Sequence, residues 1–212
     1  MQKERPIIFN REMVRVILEG RKTQTRRIIK PQPTGKHKHG GWVIDSNRKK
    51  NIGKMHFHEG TFPLTKNSIY AKPPCYVDDH LWVKETWNRT NPNGDKGIYF
   101  YRADGKYPDC MGVNNYFGDE LWKPSIHMPR CASRITLKIT DVRVEKLNDI
   151  SQVDTIAEGV IPSHPAINTA SQEYWFPDFS RSWFAQTWNS IYGKGSWESN
   201  PWVWAISFEV LR

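Results

Sequence analysis

A chain of 212 residues is long enough to bury a sizeable hydrophobic core within one domain. Its three cysteines, Cys75, Cys110 and Cys131, form no close pair, which argues against a disulfide framework and for a reducing, cytoplasmic setting. Thirty-one Lys and Arg against 22 Asp and Glu give a net charge of +9, which disfavours acidic partners and makes nucleic acid the leading partner class, with plain solubility as the alternative.

In chain order, "MQKERPIIFN" has no apolar leader core, and no later run approaches the roughly 18 apolar residues that a membrane helix needs, so no membrane is expected. "PIIF" reads as a short strand. "NREMVRVILEG" then switches to helical spacing, with Met13, Val14, Ile17 and Leu18 on one face, Asn10 as N-cap and Gly20 as the stop. The basic octet "GRKTQTRR" follows directly, and cations at a helix C-terminus are favoured by the helix dipole.

From "KPQPTGKHKHGG" to about Ile69 the chain is rich in Gly, Pro, Lys and His, which predicts an irregular excursion with one hairpin around "GWVID". "DDHLWVKETW" alternates Leu81, Val83, Glu85 and Trp87 against Trp82, Lys84 and Thr86, so it is expected as a strand. "GIYFYRAD" is a second β-rich run, and a Gly- and Asn-containing loop succeeds it. "RITLKITDVRVEKL" is the clearest strand, with a break expected near Thr140 and Asp141. Ser151 is placed to cap a short helix carrying Val153, Ile156 and Ala157, ended by Gly159. "SRSWFAQTWNSIYG" has Trp183, Phe184, Trp188 and Ile191 at helical spacing, and "NPWVWAISFEVL" closes the chain as a strand. Short strands mixed with helices predict an α+β fold with a small curled sheet, a barrel.

Several chemistries find no support. "HKH" (His37, His39) and "HFH" (His56, His58) would each put two imidazoles on one side of an extended chain, but no CxxC accompanies them, and they read as a solvated basic loop. Neither a metal nor a cofactor is expected. Phosphate-cradling G-x-x-x-x-G-K-[ST] and G-x-G-x-x-G patterns and a G-x-S-x-G elbow are missing. Lys22 and Thr25 stand three residues apart, and a threonine hydroxyl becomes a nucleophile when a base takes its proton. The spacing alone leaves that pairing open, since most such pairs are incidental.

"ILEGRKTQTRR", "DDHLWVKETW", "ITDVRVEKLNDISQVDTIAEGV" and "WVWAISFEVL" resemble, in that order, the ASCH domain of the PUA-like superfamily, in the longer form carried by bacteriophages and prophages. The resemblance implies one domain over residues 1–212, a PUA-like β-barrel with flanking helices, and inserted loops at about 31–76 and 103–125. It departs from the family pattern at Cys131, where a Trp is expected and a Cys would pack as a small hydrophobe.

Some small ASCH proteins remove the acetyl group from N4-acetylcytidine with a Lys, a Thr three residues later and a Glu from a later helix. In this chain the resemblance puts those roles on Lys22, Thr25 and Glu158. The implied partner is a modified cytidine nucleoside or RNA, recognised by Arg21, Arg26, Trp87, Tyr101, Arg102, Arg130 and Arg134, with Arg27 beside them. Glu85 is a second candidate carboxylate, or else a rim salt bridge. The alternative from another class is a non-catalytic RNA- or nucleic-acid-binding module, or a ribonuclease, resting on the charge and the aromatic content.

Overall fold

The caps and alternations read from the sequence recur in the computed structural model, which describes residues 3–61, 66–90, 98–105, 122–160 and 179–211. Contacts divide the chain into two units, one of Met1–Thr23, Val77–Thr140 and Phe208–Arg212, the other of Gln24–Tyr76 and Asp141–Ser207.

In the first unit, β1 (Glu4–Ile8) leads into α1 (Arg11–Leu18), where the Asn10 side chain accepts a hydrogen bond from the Met13 N–H at 2.8 Å. The apolar face of α1 is narrower than expected: Val14 and Ile17 are buried, but Leu18 is 49% exposed. β6 (His80–Lys84) runs parallel to β1 and pairs antiparallel with the first residues of β9 (Thr136–Lys146), Leu81 opposite Leu137. The alternation along "HLWVKETW" holds, with Leu81, Val83, Glu85 and Trp87 turned inward. β7 (Trp87–Arg89) pairs with β8 (Tyr99–Tyr101), and Trp87 packs with Met128 and Ala132 beneath Tyr99 and Tyr101.

The second unit holds β2 (Gln24–Ile28), antiparallel to β10 (Trp202–Leu211) in a register that sets Thr25 opposite Ile206 and Arg26 opposite Ala205. Residues 30–76 are more regular than their composition suggested. They form a three-stranded antiparallel sheet of β3 (Lys38–Trp42), β4 (Met55–Glu59) and β5 (Lys66–Ala71). The alternation that marks β4 sets buried Met55 and Phe57 against half-buried His56 and His58, and histidines hide a period of two among residues that read as loop.

Helix α2 (Gln152–Ala157) starts at Ser151, whose hydroxyl accepts from the Asp154 N–H at 3.1 Å. Its inward residue is Thr155, fully buried, whereas Val153 is 74% and Ile156 41% exposed, so the expected apolar face points outward. Helix α3 (Phe179–Tyr192) buries Phe184 and Trp188 against Leu147, Ile150, Val160 and Val203, while Trp183 and Ile191 stay partly exposed.

The five-stranded sheet has the order β1-β6-β9-β10-β2, with β1 parallel to β6 and the pairs β6-β9 and β10-β2 antiparallel. Among the described residues, ten strands in three sheets and three α-helices make an α+β arrangement, and no pairing of β1 with β2 closes the five-stranded sheet. β9 is unbroken at Thr140 and Asp141. Instead the burial alternation resets there, both residues being exposed. Cys131 is exposed rather than packed, and its neighbour Ala132 takes the buried place. Cys110 and most of the loop expected at 103–125 lie outside the described residues. Among the described residues no helix is long and apolar enough to cross a membrane.

Candidate functional site

Lys22 stands just past α1, and its burial begins with the way that helix stops. The N–H groups of Arg21 and Lys22 both donate to the Val16 carbonyl, at 2.9 and 3.0 Å, which turns the chain back over the last turn. The Lys22 side chain is carried inward, with Nζ 5.9 Å above the Phe9 ring and the residue 1% exposed. It is the one lysine among the buried residues described, and a lysine is almost never fully buried without a compensating role. Arg21, by contrast, is turned to the surface and pairs with Glu19 through Nε at 2.8 Å.

In the second unit, Thr25 is the second residue of β2 and is 3% exposed. Successive strand residues alternate, so Thr25 and Arg27 face one side while Gln24 and Arg26 face the other. Arg26 has a wholly buried side chain with acids on three sides. Its Nε donates to Glu145 Oε1 at 2.7 Å, Nη1 donates to Gln24 Oε1 at 2.7 Å and to Glu158 Oε1 at 3.2 Å, and Nη2 lies 3.4 Å from Asp154 Oδ2. A second guanidinium, Arg143, donates to Glu145 Oε2 at 3.1 Å and to Asp154 Oδ1 at 2.9 Å. Two arginines thus cross-link β2, β9 and α2.

Glu158 is the C-cap residue of α2 and is 8% exposed. Gly159 follows at φ +98, a backbone conformation that favours glycine, and lets the chain leave the helix while the Glu158 carboxylate remains inside with Arg26. Burial pushes the Asp154 carboxyl up. The hydrogen bond from Ser151 Oγ and the charges of Arg143 and Arg26 outweigh it and hold the group below the usual aspartate range.

Other expected site residues assemble separately in the first unit. Arg134 donates to Glu85 through Nε at 2.9 Å and Nη2 at 3.0 Å, and to Asp104 through Nη1 at 3.0 Å and Nη2 at 2.8 Å. Its guanidinium lies 3.9 Å from the centre of the Tyr101 ring, and the Tyr101 hydroxyl donates to the Ala132 carbonyl at 2.8 Å. Glu85, 1% exposed, is therefore a buried ion-pair member rather than a rim one. Burial outweighs Arg134 at Glu85 and pushes its carboxyl above the usual range, with Asp104 adding to the rise. At Arg134 the two carboxylates outweigh burial and raise the guanidinium further, so the pair favours the arginine more than the glutamate. The upward direction at Glu85 is the physically expected one, because it shares a single guanidinium with another acid and is far more buried than its partner.

Trp87, 6% exposed, is a core residue. Arg102 heads a 3-10 turn with its N–H donating to the Thr86 carbonyl at 2.9 Å. Arg130 is exposed, pairs with Glu4 at 3.1 Å and lies over the Trp82 ring at 5.9 Å.

Three of the four histidines find hydrogen-bonding partners, whereas the buried His58 Nδ1 has none among the described residues. His37 Nδ1 lies 2.7 Å from Thr34 Oγ1 and Nε2 lies 2.8 Å from the Asn67 carbonyl, while His56 Nε2 lies 3.0 Å from Ser68 Oγ. No group of three or more His, Cys, Asp or Glu placed to hold a metal occurs among the described residues.

The residues that sequence reading missed are Gln24, Arg143, Glu145 and Asp154. The signal available was weak: Arg143 and Glu145 alternate with Val142 and Val144 on a strand, which reads as a solvated face. Comparison with protein-family models, curated proteins and solved structures gives no match.

Proposed function

We propose that this α+β chain is an ASCH domain of the PUA-like superfamily, with its sheet as the barrel wall, and that it hydrolyses the N4-acyl group of an acylated cytidine. The observation that carries the reading is burial. Lys22, Thr25 and Glu158, at 1%, 3% and 8% exposure, are each held inside the fold, although Lys and Glu ordinarily remain at the surface.

In the proposed reaction Thr25 Oγ1 adds to the amide carbonyl carbon while Lys22 Nζ takes the hydroxyl proton. The C–N bond then breaks, and the proton passes to the departing N4 amine. Water, losing a proton to Lys22, then adds to the acetyl ester; the bond to Thr25 Oγ1 breaks, Lys22 returns the proton to that oxygen, and acetic acid leaves and ionises to acetate. The resemblance gives Glu158 the task of balancing the charge that Lys22 gains; in this chain its carboxylate accepts from Arg26, the residue after Thr25 on β2.

The test is release of cytidine and acetate from N4-acetylcytidine by the purified full chain. Wild-type protein turns over, Thr25→Ala does not, and Lys22→Ala slows by about 10²- to 10⁴-fold, the usual worth of a positioned general base. Absence of turnover by folded wild-type protein, or unchanged turnover in both variants, overturns the proposal.

A further inference from the structure

The molecule's excess positive charge is concentrated in one place. Residues 30–76 hold nine Lys and Arg against two Asp and Glu, so +7 of the net +9 lies in that stretch. The arginines described above are mostly tied to acids, yet none of these nine cations makes an ion pair among the described residues.

The stretch folds into the β3-β4-β5 sheet, whose two faces differ. One face carries Met55, Phe57 and His39, and packs on Trp202, with the Phe57 and Trp202 ring centres 5.3 Å apart. On the other face directly opposed residues share a side, so Lys38 stands with His58, and Tyr70 with His56. The rings form a row. Tyr70 and His56 stack with centres 4.9 Å apart and planes within 13°, and His58 follows 5.2 Å from His56.

Gly40 keeps that row intact. A Cβ there would stand 2.9 Å from His58 Cδ2 and 3.0 Å from His56 Nδ1, so any side chain at this position displaces the imidazoles. Burial, with His58 second, holds His56 below the usual histidine range, and its ring is an uncharged stacking surface at neutral pH.

A row of aromatic rings beside Lys38, in a stretch of net charge +7, matches the two needs of an unpaired nucleic-acid strand: ring faces for bases and cations for phosphates. We infer that the outer face of the β3-β4-β5 sheet, with His56, His58, Tyr70 and Lys38 at its centre, binds single-stranded nucleic acid. Duplex DNA fits less well, because its bases are already stacked on one another. This surface is independent of the acyl-cytidine reading and stands or falls separately.

The experiment measures fluorescence anisotropy of labelled oligo(U) and oligo(dT) of about 12 nucleotides, a length within the range that one such surface engages. Heparin is the base-free polyanion control, and thermal melting checks that each variant folds. Binding is expected to weaken with salt. The slope of log K against log salt should shrink by about 0.7 for each phosphate that a Lys38→Gln variant no longer neutralises. Tyr70→Leu and Gly40→Ala are expected to weaken oligonucleotide binding about five- to a hundredfold while leaving heparin binding unchanged.

Failure of the wild-type chain to bind either oligonucleotide at low salt overturns the inference. So does binding untouched by the sheet variants, or an equal loss of heparin and oligonucleotide in Tyr70→Leu. Turnover of free N4-acetylcytidine should be the same in the sheet variants as in wild type, which keeps the two proposals distinguishable.

Discussion

Arg26 Nη1 lies 3.2 Å from Glu158 Oε1, and the arginine side chain is completely shielded from solvent. The contact ties the middle of β2 to the end of α2 and gives the Glu158 carboxylate a fixed address. Removing one partner of such a pair leaves the other as an uncompensated buried charge, which costs about 3–5 kcal/mol. Arg26→Met is therefore expected to lower unfolding free energy by that amount in urea titration. Combined with Glu158→Gln in a double-mutant cycle, it should show a coupling of about 0.5–3 kcal/mol. Additive losses would mean that Arg26 is held by Glu145 and Asp154 alone.

The ends of α2 offer a second check. Ser151 caps the helix through the Asp154 N–H, and loss of such a cap costs about 1 kcal/mol, so Ser151→Ala should destabilise by that much. Gly159, at φ +98, follows Glu158 immediately, and an alanine in left-handed backbone costs about 1–2 kcal/mol. Gly159→Ala should destabilise accordingly and also lower acyl-cytidine turnover, because it disturbs the turn that holds Glu158. Gly35→Ala, with no atom within 4 Å of the added Cβ and no positive φ, is the neutral control.

How much of this was legible in the sequence depends on what each residue type announces. Asn10 before a run of helical period, and Leu81, Val83 and Trp87 in strict alternation, announce their elements because cap and period agree with burial. β4 was hidden because its outward positions are histidines in a Lys- and Gly-rich setting, where a period of two looks like loop composition. In α2 the apolar residues Val153 and Ile156 pointed the reading the wrong way, since the interior they would have filled is taken by Thr155 and by the ion pairs of Arg26. Lys22 and Thr25 stood out by their spacing, but only the resemblance gave them a proposed role and added Glu158. Their burial is a tertiary property, and nothing local distinguishes Glu158 from the surface acids near it.

The indole of Trp188 provides a third prediction. It is 3% exposed in the core formed with Leu147, Ile150 and Phe184, yet its Nε1–H has no hydrogen-bond partner among the described residues. Trp188→Ala removes a large buried ring and should cost about 3–5 kcal/mol. Trp188→Phe keeps most of the ring and removes an unsatisfied donor, so its cost should be well under half of that, measured by the same urea titration.

Two carboxylates should leave opposite marks on the pH dependence of stability. Asp154 is held below its ordinary value of 3.8 in the folded chain, despite burial, by Ser151, Arg143 and Arg26. Its stabilisation is fully present above that value and is lost as pH falls through the lower, folded-state one. Glu85 is pushed above its ordinary 4.5 by burial, against the pull of Arg134. For Glu85 the protonated form suits the fold better, so its contribution is fully present below 4.5 and declines as pH rises through the higher, folded-state value. Unfolding free energies of wild type, Asp154→Asn and Glu85→Gln, measured between about pH 2.5 and 7, separate the two effects. Relative to wild type, Asp154→Asn should lose the acid-side slope below 3.8, whereas Glu85→Gln should remove a decline on the alkaline side of 4.5. If both variants flatten the same side of the profile, the opposite shifts assigned to the Arg26 and Arg134 clusters are wrong.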